Sequence, residues 1–144
     1  MKRKIVNLLS VIMACMMLIV LFPAANASVT SSDYFWVTDV VGQAVGNGKV
    51  TFEFDINATH TMKELGASQI MIYEQQSSGT YKNVKTYTRN DTSGLIQTDT
   101  AASYGRVTYP GVSGRKYYAM FALYAKDSDN TSETIYKSAD FVVA

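Results

Sequence analysis

The chain has 144 residues, with 13 lysines and arginines against 12 aspartates and glutamates, one cysteine and one histidine. This balance lacks the excess of basic residues that marks a nucleic-acid-binding domain, so we expect no nucleic-acid partner. A single histidine and a single cysteine exclude metal centres that need several of these ligands. We therefore expect neither a metal nor a cofactor.

The first residues carry the three-part pattern of a secretory signal peptide. Residues 2–4 are basic, residues 5–22 form an apolar stretch, and residues 25–27 present small side chains before a cleavage site. We predict a signal peptide over residues 1–27, cleaved after Ala27, and a protein that acts outside the cell or at its surface. The competing interpretation is an uncleaved membrane anchor, because the apolar stretch is about as long as the shortest spanning helix.

The predicted mature part is residues 28–144. Cleavage would remove Cys15, so this part forms no disulfide and offers no thiol nucleophile. It retains 10 basic and 12 acidic residues, and it is long enough to bury a core without cross-links. We expect one domain, a monomer, with no membrane contact once the signal segment has been cleaved.

Alternation of apolar and polar residues runs through most of residues 28–144. Val50, Phe52, Phe54 and Ile56 are separated by polar residues, which is typical of a strand with one buried and one wet face. The predicted strands are Tyr34–Val41, Val50–Ile56, Gln69–Glu74, Tyr81–Thr88, Ala102–Tyr109, Tyr117–Ala125 and Thr134–Val143. Seven short strands separated by turn signals predict an all-β fold, a seven-stranded antiparallel β-sandwich.

One segment breaks the strand pattern. Residues 61–64 (Thr-Met-Lys-Glu) have the spacing of a capping box, in which the Thr and Glu side chains satisfy free backbone donors at a helix start. Gly66 follows where a helix commonly ends. We therefore expect one helical turn bridging the two sheets, with Met62 and Leu65 at the edge of the core. Residues 89–99 are polar and are predicted to form a loop.

Two runs of residues carry a resemblance to a known group of proteins. The first run comprises Glu64–Ser68, Ile70, Ile72–Glu74, Tyr81, Val84 and Thr86, and the second comprises Tyr109–Gly111, Gly114, Tyr117, Phe121 and Tyr124–Lys126. With these residues the chain resembles small, uncharacterised secreted proteins of Firmicutes that have a fibronectin type III- or immunoglobulin-like sandwich. The resemblance implies a bacterial origin and this fold, with Tyr117 as the corner tyrosine. It implies no activity, because its motifs belong to strands and turns.

The chain offers few groups for catalysis. His60 is the only histidine, and its place before the capping box is typical of an exposed loop residue. Glu53 and Asp55 lie about 6–7 Å apart on one strand, a separation that an inverting glycosidase uses, but a wet strand face explains the pair equally well. Residues 127–130 begin like a calcium loop, but serines stand where a later glycine and glutamate are needed, so a turn is predicted. We expect no enzymatic activity.

The candidate binding site is a stripe of tyrosine and methionine side chains. Two predicted strands, at 69–74 and 117–125, alternate apolar residues on both faces. The side chains predicted to point toward the core are Ile70, Ile72, Ala119, Phe121 and Leu123, and those predicted to point outward are Met71, Tyr73, Tyr118, Met120 and Tyr124. In a fibronectin-like strand order these strands are neighbours, so the outward residues would form one apolar surface, which is typical of a partner or ligand site.

Two kinds of binding fit such a surface. The leading hypothesis is a secreted, non-catalytic interaction module that binds a protein partner, because soft methionine side chains suit hydrophobic protein contacts. The alternative is a carbohydrate-binding module in which the same tyrosines stack on sugar rings. A secreted hydrolase is a third hypothesis, which the residues support least.

Overall fold

Antiparallel β-strands build residues 32–144, which are the residues that the computed structural model describes. The predicted signal segment lies outside these described residues. The strands are β1 (Phe35–Gly46), β2 (Lys49–Gln75), β3 (Tyr81–Thr88), β4 (Ile96–Pro110), β5 (Lys116–Lys126), β6 (Ser132–Ser138) and β7 (Val142–Val143). Within residues 32–144 no helix is long and apolar enough to cross a membrane.

All seven strands belong to one hydrogen-bonded sheet. Its main path is β1-β2-β5-β6, with β3 and β4 joined through β2 and β7 joined through β5. The sheet curls into a half-barrel, and the apolar core lies on its concave face. The predicted all-β, antiparallel fold of seven strands is confirmed. The predicted sandwich of two separate sheets is not confirmed, because β2 is paired along both of its edges and runs through both halves.

The agreement in strand number conceals two compensating differences. The 27-residue β2 joins the predicted strands at 50–56 and 69–74 into one. The predicted strand at 134–143 is instead divided into β6 and β7. Residues 138 and 142 pair with residues of β5 that are closer together in sequence than they are, so residues 139–141 contain a bulge. The predicted loop at 89–99 is also shorter, since β4 begins at Ile96.

The predicted helical turn at residues 61–66 is wrong. This segment is extended within β2, where Glu64 pairs with Thr98 of β4 and with Lys126 of β5. A helix cap contributes only about 1 kcal/mol, whereas pairing with β4, and from Glu64 onward also with β5, satisfies backbone groups of this segment. The predicted burial of Met62 and Leu65 is confirmed, since both side chains are 0% exposed.

The core follows the alternation of the sequence. The side chains of Val50, Phe52, Phe54 and Ile56 line the concave face and are at most 1% exposed. Burial of each such side chain stabilises the fold by about 1.5–3 kcal/mol. The five residues predicted to point inward from the other half of the sheet are also fully buried: Ile70, Ile72, Ala119, Phe121 and Leu123.

Two irregularities in β2 allow one strand to serve both halves of the curled sheet. Five steps along β2, from Asn57 to Met62, face two steps along β4. Ser68 is an extra residue against β5, between the paired residues Ala67 and Gln69. Bulges of this kind bend a strand and increase its twist, so the curl of the sheet originates at these two places.

Side chains link the outer strands β1 and β6, which share no ladder. The Ser32 hydroxyl, just before β1, donates to the carboxylate of Glu133 at 2.7 Å. The Lys137 ammonium of β6 donates to the backbone carbonyl of Thr38. The first bond joins two side chains and the second occupies one backbone carbonyl of β1, so both hold β6 close to an edge that would otherwise be open to pairing with another strand.

Substitution of Gly66 by alanine is expected to destabilise the fold strongly. Gly66 has a φ of +153°, and a Cβ there would lie 2.0 Å from the carbonyl oxygen of Leu95. That oxygen already accepts the N–H of Ala67 at 2.8 Å, so it cannot move aside freely. We expect Gly66→Ala to lower the free energy of unfolding by more than about 2 kcal/mol in urea denaturation.

The matched control for this substitution is Gly79→Ala. Gly79 also has a positive φ, +83°, but a Cβ there would meet nothing within 4 Å. Only the left-handed backbone is penalised, which costs about 1 kcal/mol. Equal losses in the two variants would show that the contact with Leu95 is not what requires glycine at position 66.

Candidate functional site

Four of the five residues predicted to form the outward stripe lie together on the convex face of the sheet. Tyr73 of β2 pairs with Tyr118 of β5, and Met71 pairs with Met120. All four side chains are partly buried, and the Tyr73 hydroxyl lies 3.7 Å from the Met71 sulfur. The structure therefore places these tyrosines and methionines side by side on adjacent strands.

Tyr124, the fifth predicted residue, shares this face but lies apart from the others. It is paired with Gly66, beyond the irregularity at Ser68. The guanidinium of Arg89 lies 5.3 Å from the centre of its ring and forms a 3.0 Å ion pair with Glu64. A cation over an exposed ring stabilises by about 0.5–1 kcal/mol. Tyr124 thus has a local structural role of its own.

Four aromatic rings meet around Tyr118, and we call this group the aromatic cluster: Tyr73, Tyr81, Tyr118 and Phe141. The rings of Tyr73 and Tyr118 are stacked, with centroids 4.8 Å apart and planes 7° apart. Tyr81 meets Tyr118 edge-on at 5.0 Å, and Phe141 meets it edge-on at 5.4 Å. Such pairs stabilise by about 0.5–1.5 kcal/mol each beyond their buried area, so the four rings stabilise one another in this arrangement.

Two members of the cluster, Tyr81 and Phe141, are absent from the predicted stripe. Tyr81 pairs with Gln75 next to the turn between β2 and β3, so counting across that turn would have placed it on the face of Tyr73. Phe141 gives no such signal, because the predicted strand runs through it without a break. Its side chain is 54% exposed, which makes it the most accessible ring of the cluster.

A shallow groove of about 430 Å³ adjoins the aromatic cluster. It is lined by Gln75, Gln76, Ser77, Gly114, Arg115 and Lys116. Lys116 connects the two features, since its Nζ lies 4.5 Å from the centre of the Phe141 ring. The lining contains two cations and two side-chain amides and no carboxylate, so the groove presents mostly hydrogen-bond donors.

A partly buried network holds Arg115, whose side chain is 47% exposed, in the lining of the groove. Its guanidinium donates to one carboxylate oxygen of Glu74 at 2.7 Å, and the hydroxyl of Tyr117 donates to the other at 2.7 Å. The Tyr117 oxygen in turn accepts the backbone N–H of Val112 at 2.8 Å. Tyr117 is fully buried, and this burial, followed by the contact with Glu74, raises the pKa of its phenol.

The histidine and the acidic turn have partners close by. His60 lies within the extended strand β2 and not in the predicted loop. Its Nε2 is 3.0 Å from the Asp127 carboxylate. This hydrogen bond lowers the pKa of Asp127. Asp129 accepts the N–H and the hydroxyl of Thr131. Residues 127–130 form the predicted turn, between β5 and β6.

The carboxylate pair Glu53 and Asp55 lies on the convex face of the sheet between β1 and β4. Asp55 pairs with Asp39, and Glu53 pairs with Arg106. Together with Tyr104, the three carboxylates line a depression of about 200 Å³. Across residues 32–144, no three His, Cys, Asp or Glu side chains come together in a metal-binding arrangement. This part of the convex face is acidic, in contrast to the groove beside the aromatic cluster.

No protein-family model and no curated protein matches this chain. Among solved structures it is similar to Spo0M, a sporulation control protein from Bacillus subtilis, with 8% sequence identity and a TM-score of 0.42. The match covers 74% of this chain and 49% of the other, so this chain spans about half the length of Spo0M. A likeness of this degree carries no argument about function.

Substitution of Tyr117 by phenylalanine is expected to lower the free energy of unfolding by about 1–3 kcal/mol, because the Val112 N–H and a Glu74 oxygen lose a buried partner. Urea denaturation measures the change. The control is Tyr136→Phe, which removes a hydroxyl from a side chain that is 67% exposed and should change stability by less than about 0.5 kcal/mol. Similar free energies of unfolding for the two variants would mean that the hydrogen bonds of Tyr117 contribute nothing to stability.

Stability is expected to fall at alkaline pH, in part through Tyr118. Burial, followed by the nearby Tyr73 and Tyr81, raises the pKa of Tyr118 above its ordinary value of 10.0. A group whose pKa is raised on folding stabilises the fold fully at a pH below its pKa in the unfolded chain. This contribution is lost as the pH rises through its pKa in the folded protein. Tyr118→Phe should match the unsubstituted protein in Tm at about pH 8 and lose less Tm above about pH 10. An equally steep loss in both proteins would contradict this assignment.

Proposed function

We propose that this protein is a secreted, non-catalytic interaction module that binds a protein partner through the aromatic cluster and the adjoining Met71 and Met120. The observation that carries the proposal is the packing of four aromatic rings around Tyr118 at the surface, with Phe141 54% exposed. Aromatic anchors of this kind supply much of the binding energy at protein interfaces. Action outside the cell rests on the signal pattern of residues 1–27.

The packing of the rings supports a protein partner over a sugar. A sugar ring stacks on a free aromatic face, but Tyr73 and Tyr118 each cover one face of the other at 4.8 Å. The Lys116 ammonium lies over the Phe141 ring. The ring surface that stays accessible, together with the adaptable methionine side chains, suits the irregular shapes of apolar protein side chains.

Carbohydrate binding is the second candidate function, and a different feature supports it. The amides of Gln75 and Gln76 line the groove next to Tyr81, which pairs with Gln75. Side-chain amides both donate and accept hydrogen bonds, as sugar hydroxyls require. A sugar would therefore be bound mainly through the groove, with Tyr81 as its aromatic contact.

We also infer that the curled sheet is a variant of the fibronectin type III-like sandwich that the sequence resembles. The supporting observation is the hydroxyl of Tyr117, which accepts the N–H of Val112, five residues earlier in the chain. A tyrosine at the start of a strand that bonds back to the preceding loop is the corner motif of such sandwiches. This inference concerns the fold alone.

Selection from a library of random displayed peptides tests the proposed function without a known partner. The enriched peptides are then measured against the unsubstituted protein and against a Tyr81→Ser/Phe141→Ser variant. Loss of two anchor rings should weaken binding by about 30-fold or more. The matched control is Tyr104→Ser/Tyr136→Ser, which removes two rings that are 49% and 67% exposed and lie outside the cluster. The control should bind like the unsubstituted protein.

Two outcomes would contradict the proposal. Enriched peptides that bind the Tyr81/Phe141 variant as tightly as the unsubstituted protein would place the binding surface elsewhere. Affinity gels containing neutral polysaccharides provide the second comparison. If no peptide is enriched, while a polysaccharide retards the unsubstituted protein and not this variant, the carbohydrate-binding candidate replaces the protein-binding one.

A further inference from the structure

Charge is distributed unevenly over the convex surface of the sheet. The side between β1 and β4 presents three carboxylates and one guanidinium: Asp39, Glu53, Asp55 and Arg106. The groove beside the aromatic cluster is lined by Arg115 and Lys116, without a carboxylate. Residues 28–144 contain 12 acidic and 10 basic residues. Because Arg115 is paired with Glu74, Lys116 supplies the excess positive charge of the groove, on a domain whose net charge has the opposite sign.

Both cations of the groove keep hydrogen-bond donors available for a ligand. The Arg115 guanidinium uses Nη1 for its bond to Glu74, and a guanidinium carries five N–H donors in all. Lys116 takes part in none of the three ion pairs formed within residues 32–144. Its contact with the Phe141 ring leaves ammonium N–H groups that can donate hydrogen bonds to a carboxylate oxygen.

We propose that this groove takes a carboxylate side chain from an acidic segment of the protein partner, while a neighbouring apolar side chain of that segment packs on Phe141 and Tyr81. This inference rests on the proposed function and names its ligand class. The Lys116 ammonium lies 4.5 Å from the centre of the Phe141 ring, and an extended peptide rises about 3.3 Å per residue. Because successive side chains of an extended peptide point in opposite directions, the acidic and apolar residues of the ligand are two positions apart.

Synthetic polymers of defined charge provide the test. A random copolymer of glutamate and tyrosine combines the two required side chains. Polyglutamate supplies the carboxylate alone, and a copolymer of lysine and tyrosine supplies the ring with the opposite charge. Polygalacturonate supplies carboxylates on a sugar chain. Binding of each labelled polymer to the protein is measured by fluorescence anisotropy at about 50 mM and about 500 mM salt, because screening weakens contacts between exposed charges.

The glutamate–tyrosine copolymer should bind more tightly than the other three polymers, and its affinity should fall at the higher salt concentration. Lys116→Gln should weaken its binding about threefold, as expected for one exposed charge contact. Phe141→Ser should weaken it about tenfold or more. The control is Lys63→Gln, which removes the same charge from an exposed residue outside the groove lining, and it should leave the affinity unchanged.

The results separate this inference from the function on which it rests. The proposal of an acidic ligand would be overturned if Lys116→Gln and Lys63→Gln weakened binding of the glutamate–tyrosine copolymer equally. It would also be overturned if the lysine–tyrosine copolymer bound as tightly as the glutamate–tyrosine copolymer. If Phe141→Ser still weakened peptides from the displayed library, the protein-binding function would stand with a different ligand charge. Tightest binding of polygalacturonate would overturn the acidic peptide in favour of an anionic glycan. Failure of Phe141→Ser to affect any polymer or displayed peptide would remove both proposals.

Discussion

The fold depends on β2, a 27-residue strand that has hydrogen-bonded neighbours along both of its edges. Strands β1 and β4 flank its first half, and β3 and β5 flank its second half. One strand can serve both halves because its ladders are irregular after Asn57 and at Ser68, where it bends. Between these places lies Gly66, where β2 comes too close to the Leu95 carbonyl to carry a Cβ. The curl, the core and the convex face follow from this strand.

The faces of the strands could be predicted from the sequence, whereas their continuity could not. Alternation is a local property with a period of two residues, and it correctly assigned residues such as Phe52 and Ile72 to the core. The capping-box spacing at 61–64 is equally local, but it competes with pairing to Thr98 and Lys126. Because these partners lie far along the chain, nothing near residue 61 reveals that the strand continues.

The candidate site was predictable in the same uneven way. Tyr73 and Tyr118 follow from alternation plus the expectation that their strands are neighbours, and the structure pairs them directly. Tyr124 satisfies the same pattern, but the Arg89 side chain engages its ring, a contact that depends on the path of the loop before β4. Phe141 could not be predicted, because its orientation depends on a bulge that the sequence pattern does not show.

Two bulges beside the aromatic cluster connect the site to the fold. On β3, Val84 has no paired residue on β2. If the pairing continued regularly from Thr88 back to the start of β3, Tyr81 would lie on the concave face. On the last segment, a regular ladder continued from Ser138 would put Phe141 opposite Tyr117, also on the concave face. A one-residue shift reverses the side chain, so each bulge moves one aromatic ring from the core side to the surface. Burial lowers the free energy of an apolar ring more than exposure does, yet Phe141 stays 54% exposed at this place, which agrees with the binding surface that we propose.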